Sequence, residues 1–351
     1  MHILVTGHLG YIGPVAVRIL KQAGHRVTGL DIGYFRDCVA DGTGLVPPDR
    51  EIVRDMRDVG PRDLEGVDAV VHLAALSNDP MGELDPALTH SINTQATLRM
   101  AALAREAGVV RLVFASSCSI YGAAEDQTEP LTEEAPFNPV SAYAVSKVAT
   151  EQGLRDLATD GFSPVFLRNA TAFGVSGRLR FDLVLNNLAA WAHTTGSIKV
   201  LSDGTPWRPL VHIEDIAAAI LAAAEAPASS VHAQAFNIGR ADANHQVRDI
   251  AEAVGRCFAG ARVDITGETA GDPRSYRVDF SKALTRLPGF TPGWTLERGC
   301  AELHDWLKAG RLDERDFQSR TFIRLKQLRH LMEIGKMDGA LRLRQTAEAG
   351  I

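Results

Sequence analysis

Hydrophobic and polar positions change period along the chain in a regular way. Residues 2–5 (His2, Ile3, Leu4, Val5) form a short, nearly unbroken apolar run, the pattern of a strand buried on both faces. Gly7, Gly10 and Gly13 follow at once, and from Pro14 the apolar residues recur at helical spacing, with Pro14 suited to a first helical turn. A second apolar run over 26–31 ends in Asp31. Short or longer buried runs follow at 52–53, 67–75, 111–117 and 162–168. Between them lie helical patterns, the longest over 86–107 with Gly108 as its stop. Strand and helix alternate through most of the first half. That alternation predicts an α/β fold with a parallel sheet covered on both faces.

The first thirteen residues organise the rest. A strand, three closely spaced glycines and a helix make a dinucleotide-binding turn. Gly7 permits the sharp turn, Gly10 lets a pyrophosphate approach the backbone, and Gly13 lets the helix pack on the strand. Tyr11 and Ile12 lie between these glycines, where the amides of the helix start face an anion. Asp31 ends the second strand about twenty residues on, where an acid accepts from both ribose hydroxyls and repels a 2′-phosphate. The cofactor read from this pattern is NAD rather than NADP, and the sheet is of the Rossmann type, doubly wound. Asp55 is placed either to reach an adenine amino group or to cap a helix. In 67–75 the run ends in Leu73, Ala74 and Ala75, small enough at its end to let a cofactor come close. His72, within it, reads as structural.

Composition narrows the possible partners. The 351 residues are 45% hydrophobic and 23% charged, with a formal net charge of −6 and no basic block. Nucleic acid and anionic membrane are therefore not expected partners, and no apolar run reaches the ~18 residues of a membrane span. The first strand begins at residue 2, so no signal peptide is expected. Cys38, Cys118, Cys257 and Cys300 are scattered without a CxxC pair, which suits reduced thiols in a cytoplasm and neither disulfides nor a metal site.

The candidate chemistry lies at two later places. The 111–117 strand ends in Ser116 and Ser117 and runs on through Cys118 and Ser119. Tyr143 and Lys147 stand four apart on a predicted helix, so they share a face. An ammonium beside a phenol favours the phenolate, and such a tyrosine takes a proton from an alcohol near neutral pH. Ser117 can hydrogen-bond the same alcohol. Ser77 lies in a polar loop at the carboxyl end of its strand, where open sheets bind ligands. Asn93 sits in the long helix, either exposed or bonded to the strand beside the cofactor.

The segments TGHLGYIG (6–13), HLAA (72–75), SSCSIYG (116–122), YAVSK (143–147) and RPLVHIEDIA (208–217), with Asp31, stand in one order over the first 300 residues or so. In that order they resemble the extended short-chain dehydrogenase/reductase superfamily, in its branch of NAD-dependent nucleotide-sugar epimerases and dehydratases. The resemblance implies a catalytic trio of Ser117, Tyr143 and Lys147, with Lys147 also on the nicotinamide ribose and Asp31, Asp55 and Met56 around the adenosine. It implies a nucleotide-diphosphate sugar as substrate, held by Asn187, Leu188, Arg208 and Arg274, with Asn169 or Thr171 beside the sugar. Relatives often carry an arginine where Thr269 stands, so Arg274 or Arg277 takes that role here. It also implies a homodimer through the helix over 86–107 and one starting near Ala142.

On this reading residues 1–175 form the NAD-binding domain, with segments of about 205–240 returning to it. Residues 176–310 form mainly a smaller α/β substrate domain. Residues 311–351 are a helical extension beyond the usual family length, with Leu325, Leu328, Leu331 and Met332 on one helical face. That face is expected to pack on the body or on a partner subunit. The run 211–215 contains His212, Glu214 and Asp215 but no repeated metal spacing, and Asp215 is expected to cap the following helix.

The reaction is read from an omission. Dehydratases of this branch carry Asp-Glu directly after the catalytic hydroxyl; this chain has Cys118-Ser119. Without a base for a C–H proton, reversible hydride transfer remains, and C4 epimerisation through a 4-keto sugar follows. Alternatives are a 4-keto sugar reductase or dehydrogenase, or a dehydratase or decarboxylase with Cys118 or another residue as acid/base. From another class comes a non-catalytic NAD-binding scaffold, against which the intact trio argues.

Overall fold

The computed structural model describes residues 1–122, 129–267, 274–310 and 312–344. The acidic loop residues Glu125–Thr128, together with Thr269, Gly271, Asp272 and Pro273, lie outside the described residues.

Strands β1 (His2–Thr6), β2 (Arg26–Asp31), β3 (Arg50–Val53), β4 (Ala69–His72), β5 (Arg111–Ser117) and β6 (Ser163–Asn169) build the large sheet. β7 (Thr171–Phe173), β8 (Ser197–Val200) and β9 (Trp207–His212) lie elsewhere, and β10 (Ala235–Ile238) returns as the seventh strand of the large sheet. Its order is β10-β6-β5-β4-β1-β2-β3, and every neighbouring pair is parallel. This is the doubly wound sheet expected from the alternation. The order reverses between β1 and β4, which opens a crevice at their carboxyl ends.

Period-two alternation divides the core between the two faces of the sheet. Ile3, Val5, Val71, Val113 and Val165 point into one apolar layer; Leu4, Val70, Leu112, Phe114 and Phe166 point into the other. The first layer is covered by helices Gly13–Gln22 and Ile213–Glu225, and the second by Ala96–Glu106 and Ala142–Asp156. Beyond the sheet, β7 and β9 pair with β11 (Asn244–Gln246), and β8 pairs with β12 (Arg262–Ile265). So β9, within the stretch expected to return to the first domain, pairs in the small sheet, while β10 joins the large one.

Two local expectations change. The helix over 86–107 is a helical run interrupted by a π turn at His90–Gln95, between Pro86–Thr89 and Ala96–Glu106. And Asp215 is not the cap of its helix. His212 is, its Nδ1 accepting from the Glu214 amide at 3.2 Å. Asp215 instead accepts from the amides of Gly293 and Trp294 at 2.8 and 3.1 Å, tying a distant loop to the helix.

The carboxyl ends of β5 and β6 are locked by buried charge. Arg168 on β6 and Glu151 on helix Ala142–Asp156 pair at 2.8 Å, both almost without solvent contact. Ser116 Oγ donates to Glu151 at 2.5 Å. Arg168 also donates to Tyr121, whose hydroxyl donates to Asn237 on β10 at 2.7 Å. Removing one partner leaves a buried charge uncompensated. We therefore expect Glu151→Leu to lose about 3–5 kcal/mol of stability, and Glu151→Leu/Arg168→Leu to recover part of it, in urea denaturation.

Candidate active site

One cleft runs along the carboxyl ends of the large sheet and continues under the small one. It measures about 1600 Å³ with its open mouth.

Its first wall is the glycine turn. Gly7 sits at φ +76°, and a Cβ there would stand 2.6 Å from the Ala74 amide nitrogen, so β1 and β4 close up only around glycine. Helix Gly13–Gln22 starts with no side-chain cap, which leaves its first amides for an anion at the cleft. Tyr11 is fixed from both ends: its hydroxyl donates to the Gly174 carbonyl at 2.6 Å, and Ser176 donates to its carbonyl at 2.6 Å. Asp31 accepts from the Gly33 and Leu9 amides at 2.7 and 3.1 Å and faces the same cavity. An uncapped helix start, a backbone that can be approached and an acid at the end of β2 fit a dinucleotide.

Of the residues assigned to the cofactor from sequence, Gly7, Gly10, Tyr11, Ile12, Gly13, Asp31, Asp55, Met56, Leu73, Ala74, Ala75, Tyr143 and Lys147 line the cleft. Asp55 does both things weighed for it. It caps the turn Met56–Asp58 through the Arg57 amide at 2.8 Å, and it lies on the cavity wall, paired with Arg57. Asn93 does not line the cleft. It stands behind it in the π turn, accepting from the Leu76 amide at 2.8 Å and donating to the Leu76 carbonyl at 3.2 Å. Its amide also donates to Ser146 at 3.0 Å, which links the strand beside the cleft to the helix of Tyr143. His72 is held between Thr6 and Thr97, 2.7 Å from each, and burial brings it down to about 3, so it is a neutral structural group.

Ser117, Tyr143 and Lys147 converge in the cleft. Ser117 ends β5 and hydrogen-bonds Tyr143. The electrostatics differ from the expected lowered phenol. Burial pushes Tyr143 up to about 12, against the pull of the Ser117 bond, and Asp79 adds to the rise. Burial drives Lys147 down to about 7. The reason is geometric: Lys147 Nζ donates to the Ala115 carbonyl at 2.6 Å and stands 5.6 Å from the centre of the Tyr143 ring. Its charge is spent on the strand end rather than on the phenol oxygen.

The sugar-side assignments divide. Ser77, Ser117, Ser119, Asn169, Thr171 and Arg274 line the cleft. Ser119 Oγ and Asn169 Oδ1 are buried without a hydrogen-bond partner among the described residues, and buried polar atoms are rarely left so. Cys118 is turned away, a correction to its assignment. It opens the 3-10 turn Cys118–Tyr121, which swings its thiol inward to donate to the Arg168 carbonyl at 3.1 Å, and burial raises it far above the usual thiol range. Asn187 is likewise outside, bonded to the Phe181 carbonyl at 2.8 Å, and Leu188 is core. Arg208 donates to the carbonyls of Trp207 and Arg274, so it braces the loop of Arg274 from outside the lining.

Asp79, in the same polar loop as Ser77, pairs with Arg274 and accepts from Ser141. Other lining residues escaped the sequence reading. Arg180 pairs with Asp182 at 2.8 Å and donates to Ser77 at 3.2 Å. Tyr276 and Arg324 also reach the wall. No spacing rule marks them, because they come to the cleft from loops and from the C-terminal segment. Among the described residues no group of three or more His, Cys, Asp or Glu is placed to hold a metal ion, and no helix is long and apolar enough to cross a membrane.

Comparison with known proteins agrees with this geometry. Residues 3–239 match the NAD dependent epimerase/dehydratase family. A UDP-glucose 4-epimerase from Corynebacterium glutamicum is 30% identical over 315 residues, covering 85% of this chain and 91% of that protein. Among solved structures, MoeE5 in complex with UDP-glucuronic acid and NAD is 27% identical with a TM-score of 0.73, over 88% of this chain and 99% of MoeE5. DesIV from Streptomyces venezuelae, a dTDP-glucose 4,6-dehydratase with NAD and TYD bound, is 26% identical with a TM-score of 0.75, over 89% of this chain and 98% of DesIV. With the glycine turn, the acid of β2 and the Ser-Tyr-Lys convergence, these likenesses carry one conclusion: the chain belongs to the NAD dependent epimerase/dehydratase family.

Proposed function

We propose that this protein inverts C4 of a nucleoside diphosphate sugar through a transient 4-keto sugar, with NAD as its retained cofactor. The observation that carries the reading is the surroundings of Ser117. Tyr143 hydrogen-bonds it, Ser119 and Asn169 present unpartnered polar atoms beside it, and the thiol of Cys118 faces the core. That set removes a hydroxyl proton and binds sugar hydroxyls, but it puts no carboxylate on the two residues after Ser117. The likeness to a UDP-glucose 4-epimerase supports the same reaction.

Each residue has a separate task. Ser117 and Tyr143 hold the C4 hydroxyl, and Tyr143 takes its proton as the bond to C4 hydrogen breaks. Bound NAD supplies the hydride acceptor and later donor, and a positive ring. Positive charge beside Tyr143 favours the phenolate that burial otherwise disfavours. Lys147 steadies the carboxyl end of β5 through the Ala115 carbonyl. Ser119 Oγ and Asn169 Oδ1 take up sugar hydroxyls, and Tyr143 returns the proton after the hydride reaches the other face.

Elimination of water is the second reading, and Asp79 is what favours it. Its carboxylate lines the same cleft and acts on Tyr143, and a dehydratase is among the similar structures. A homodimer and a cytoplasmic location go with either reading. Val145, half exposed on helix Ala142–Asp156, supports the helix pair as the dimer face.

The test is incubation with a panel of nucleotide sugars in deuterated water, followed by chromatography and mass spectrometry. An isomer of unchanged mass at a new retention time is expected, because returned hydride never meets solvent. Loss of water, or solvent deuterium on the sugar ring, overturns C4 epimerisation and makes Asp79 the first residue to replace. Tyr143→Phe is expected to lower kcat by about 10²–10⁴-fold with NAD still bound, since it removes the proton acceptor and little else.

A further inference from the structure

The C-terminal segment does more than cover an apolar face. Helix Arg324–Glu333 buries Leu328 and Leu331, with Leu325 and Met332 half buried, against Tyr34, Leu76 and Met81. Several polar ties fasten this helix and the residues after it to the segments that follow β2 and β3. Gln327 donates to the Tyr34 carbonyl at 3.0 Å. Tyr34 donates through its hydroxyl to the Leu341 carbonyl. Arg57 donates to the carbonyls of Ala340 and Leu341 at 2.8 and 3.2 Å. Leu341 holds φ 55°, an unusual value for a branched residue, and its carbonyl serves both Tyr34 and Arg57. The segment is thus fastened around the part of the cleft that Asp31 and Asp55 define.

Arg324 is the residue that this fastening carries into the cavity. It is 1% exposed yet lines the cleft. Its guanidinium donates to the carbonyls of Thr321 and Arg178, at 3.0 and 2.5 Å, and lies 4.7 Å from the centre of the Phe35 ring. Among the described residues no carboxylate forms an ion pair with it. The carboxylate that acts on it, Asp182, is already paired with Arg180. Arg178 and Arg180 add positive charge to the same neighbourhood. Burial and these neighbours bring Arg324 down to about 10. Buried charges are normally paired, so this one calls for an anion from outside the chain.

We propose that Arg324 is a ligand of the diphosphate of the bound dinucleotide, delivered to it by the C-terminal segment. Arg324, with Phe35 against its guanidinium, and the uncapped helix start of the glycine turn line the same cleft, and each is suited to a diphosphate. A planar fork suits two phosphate oxygens at once. The inference rests on the NAD dependence of the family and not on which sugar reaction is catalysed.

The test uses the full chain freed of bound nucleotide by dialysis, with Arg324→Met and Arg324→Lys. NAD, adenosine and UDP are titrated by calorimetry against each, alongside a melting curve. Arg324→Met is expected to weaken NAD by about 10- to 100-fold while adenosine and UDP bind as before, with Arg324→Lys in between. Equal losses for NAD and adenosine would mean a packing role and overturn the proposal. A loss for UDP alone would assign the anion to the sugar nucleotide, and no loss anywhere would leave Arg324 with no anion; both overturn it. If the methionine variant fails to melt cooperatively, the lysine variant decides. Weaker NAD with unchanged adenosine upholds the proposal, and unchanged NAD overturns it.

Discussion

A buried ion pair fixes where the chemistry happens. Helix Ala142–Asp156 carries Tyr143 and Lys147 on its first turns and Glu151 two turns on; β6 carries Arg168 near its carboxyl end. The Glu151–Arg168 pair presses that helix onto the sheet at the level where Ser116 and Ser117 leave β5. At such burial the desolvation cost is large, and it is offset only because every oxygen and nitrogen finds a partner: Ser116, Tyr121 and the Glu133 carbonyl complete the set. The placing of Tyr143 beside Ser117 is therefore a consequence of charge pairing some 12 Å along the helix, roughly two turns away.

The same burial sets the acid–base character of the cleft. It raises the phenol and lowers the ammonium, and the pair does not correct itself by direct contact. The site is poised against charge. An incoming positive ring near Tyr143 therefore has a large effect on the phenolate, because little water competes with it. Dependence on a cofactor is built into the electrostatics as well as into the redox chemistry.

Much of this was legible in the sequence, for local reasons. The glycine turn works through backbone conformation, and the Tyr143–Lys147 spacing works through helix geometry; both are short-range and survive in a string of letters. Asn93 could be weighed but not decided, since its amide matters only because a π turn brings it to Leu76. Cys118 could not be placed from the sequence, because its direction is set by the turn that begins where β5 ends. Ser117 and Ser119 face the cleft, and the turn between them rotates Cys118 inward. Arg208 and Asn187 lie outside the lining, each donating to a carbonyl, a placement that no spacing in the sequence encodes. Arg180 and Arg324 had no local signature at all, being brought to the cleft from two distant segments.

That assembly constrains the chemistry. The cofactor side of the cleft is walled by β1, β2, β4 and the C-terminal segment, while the sugar side is walled by loops after β5 and β6 and by Arg274. Of its carboxylates, Asp55 pairs with Arg57 and Asp79 with Arg274, while Asp31 is held by the amides of Gly33 and Leu9. Proton abstraction from carbon calls for a carboxylate raised by burial beside the sugar, and the one that burial raises here, Asp31, stands at the end of β2 on the cofactor side. On the sugar side stands Tyr143, a phenol raised by burial, and a phenol beside a serine matches an alcohol, not a C–H bond. The distribution of charge thus favours moving a hydride and a hydroxyl proton over breaking the ring's carbon–hydrogen bonds by base.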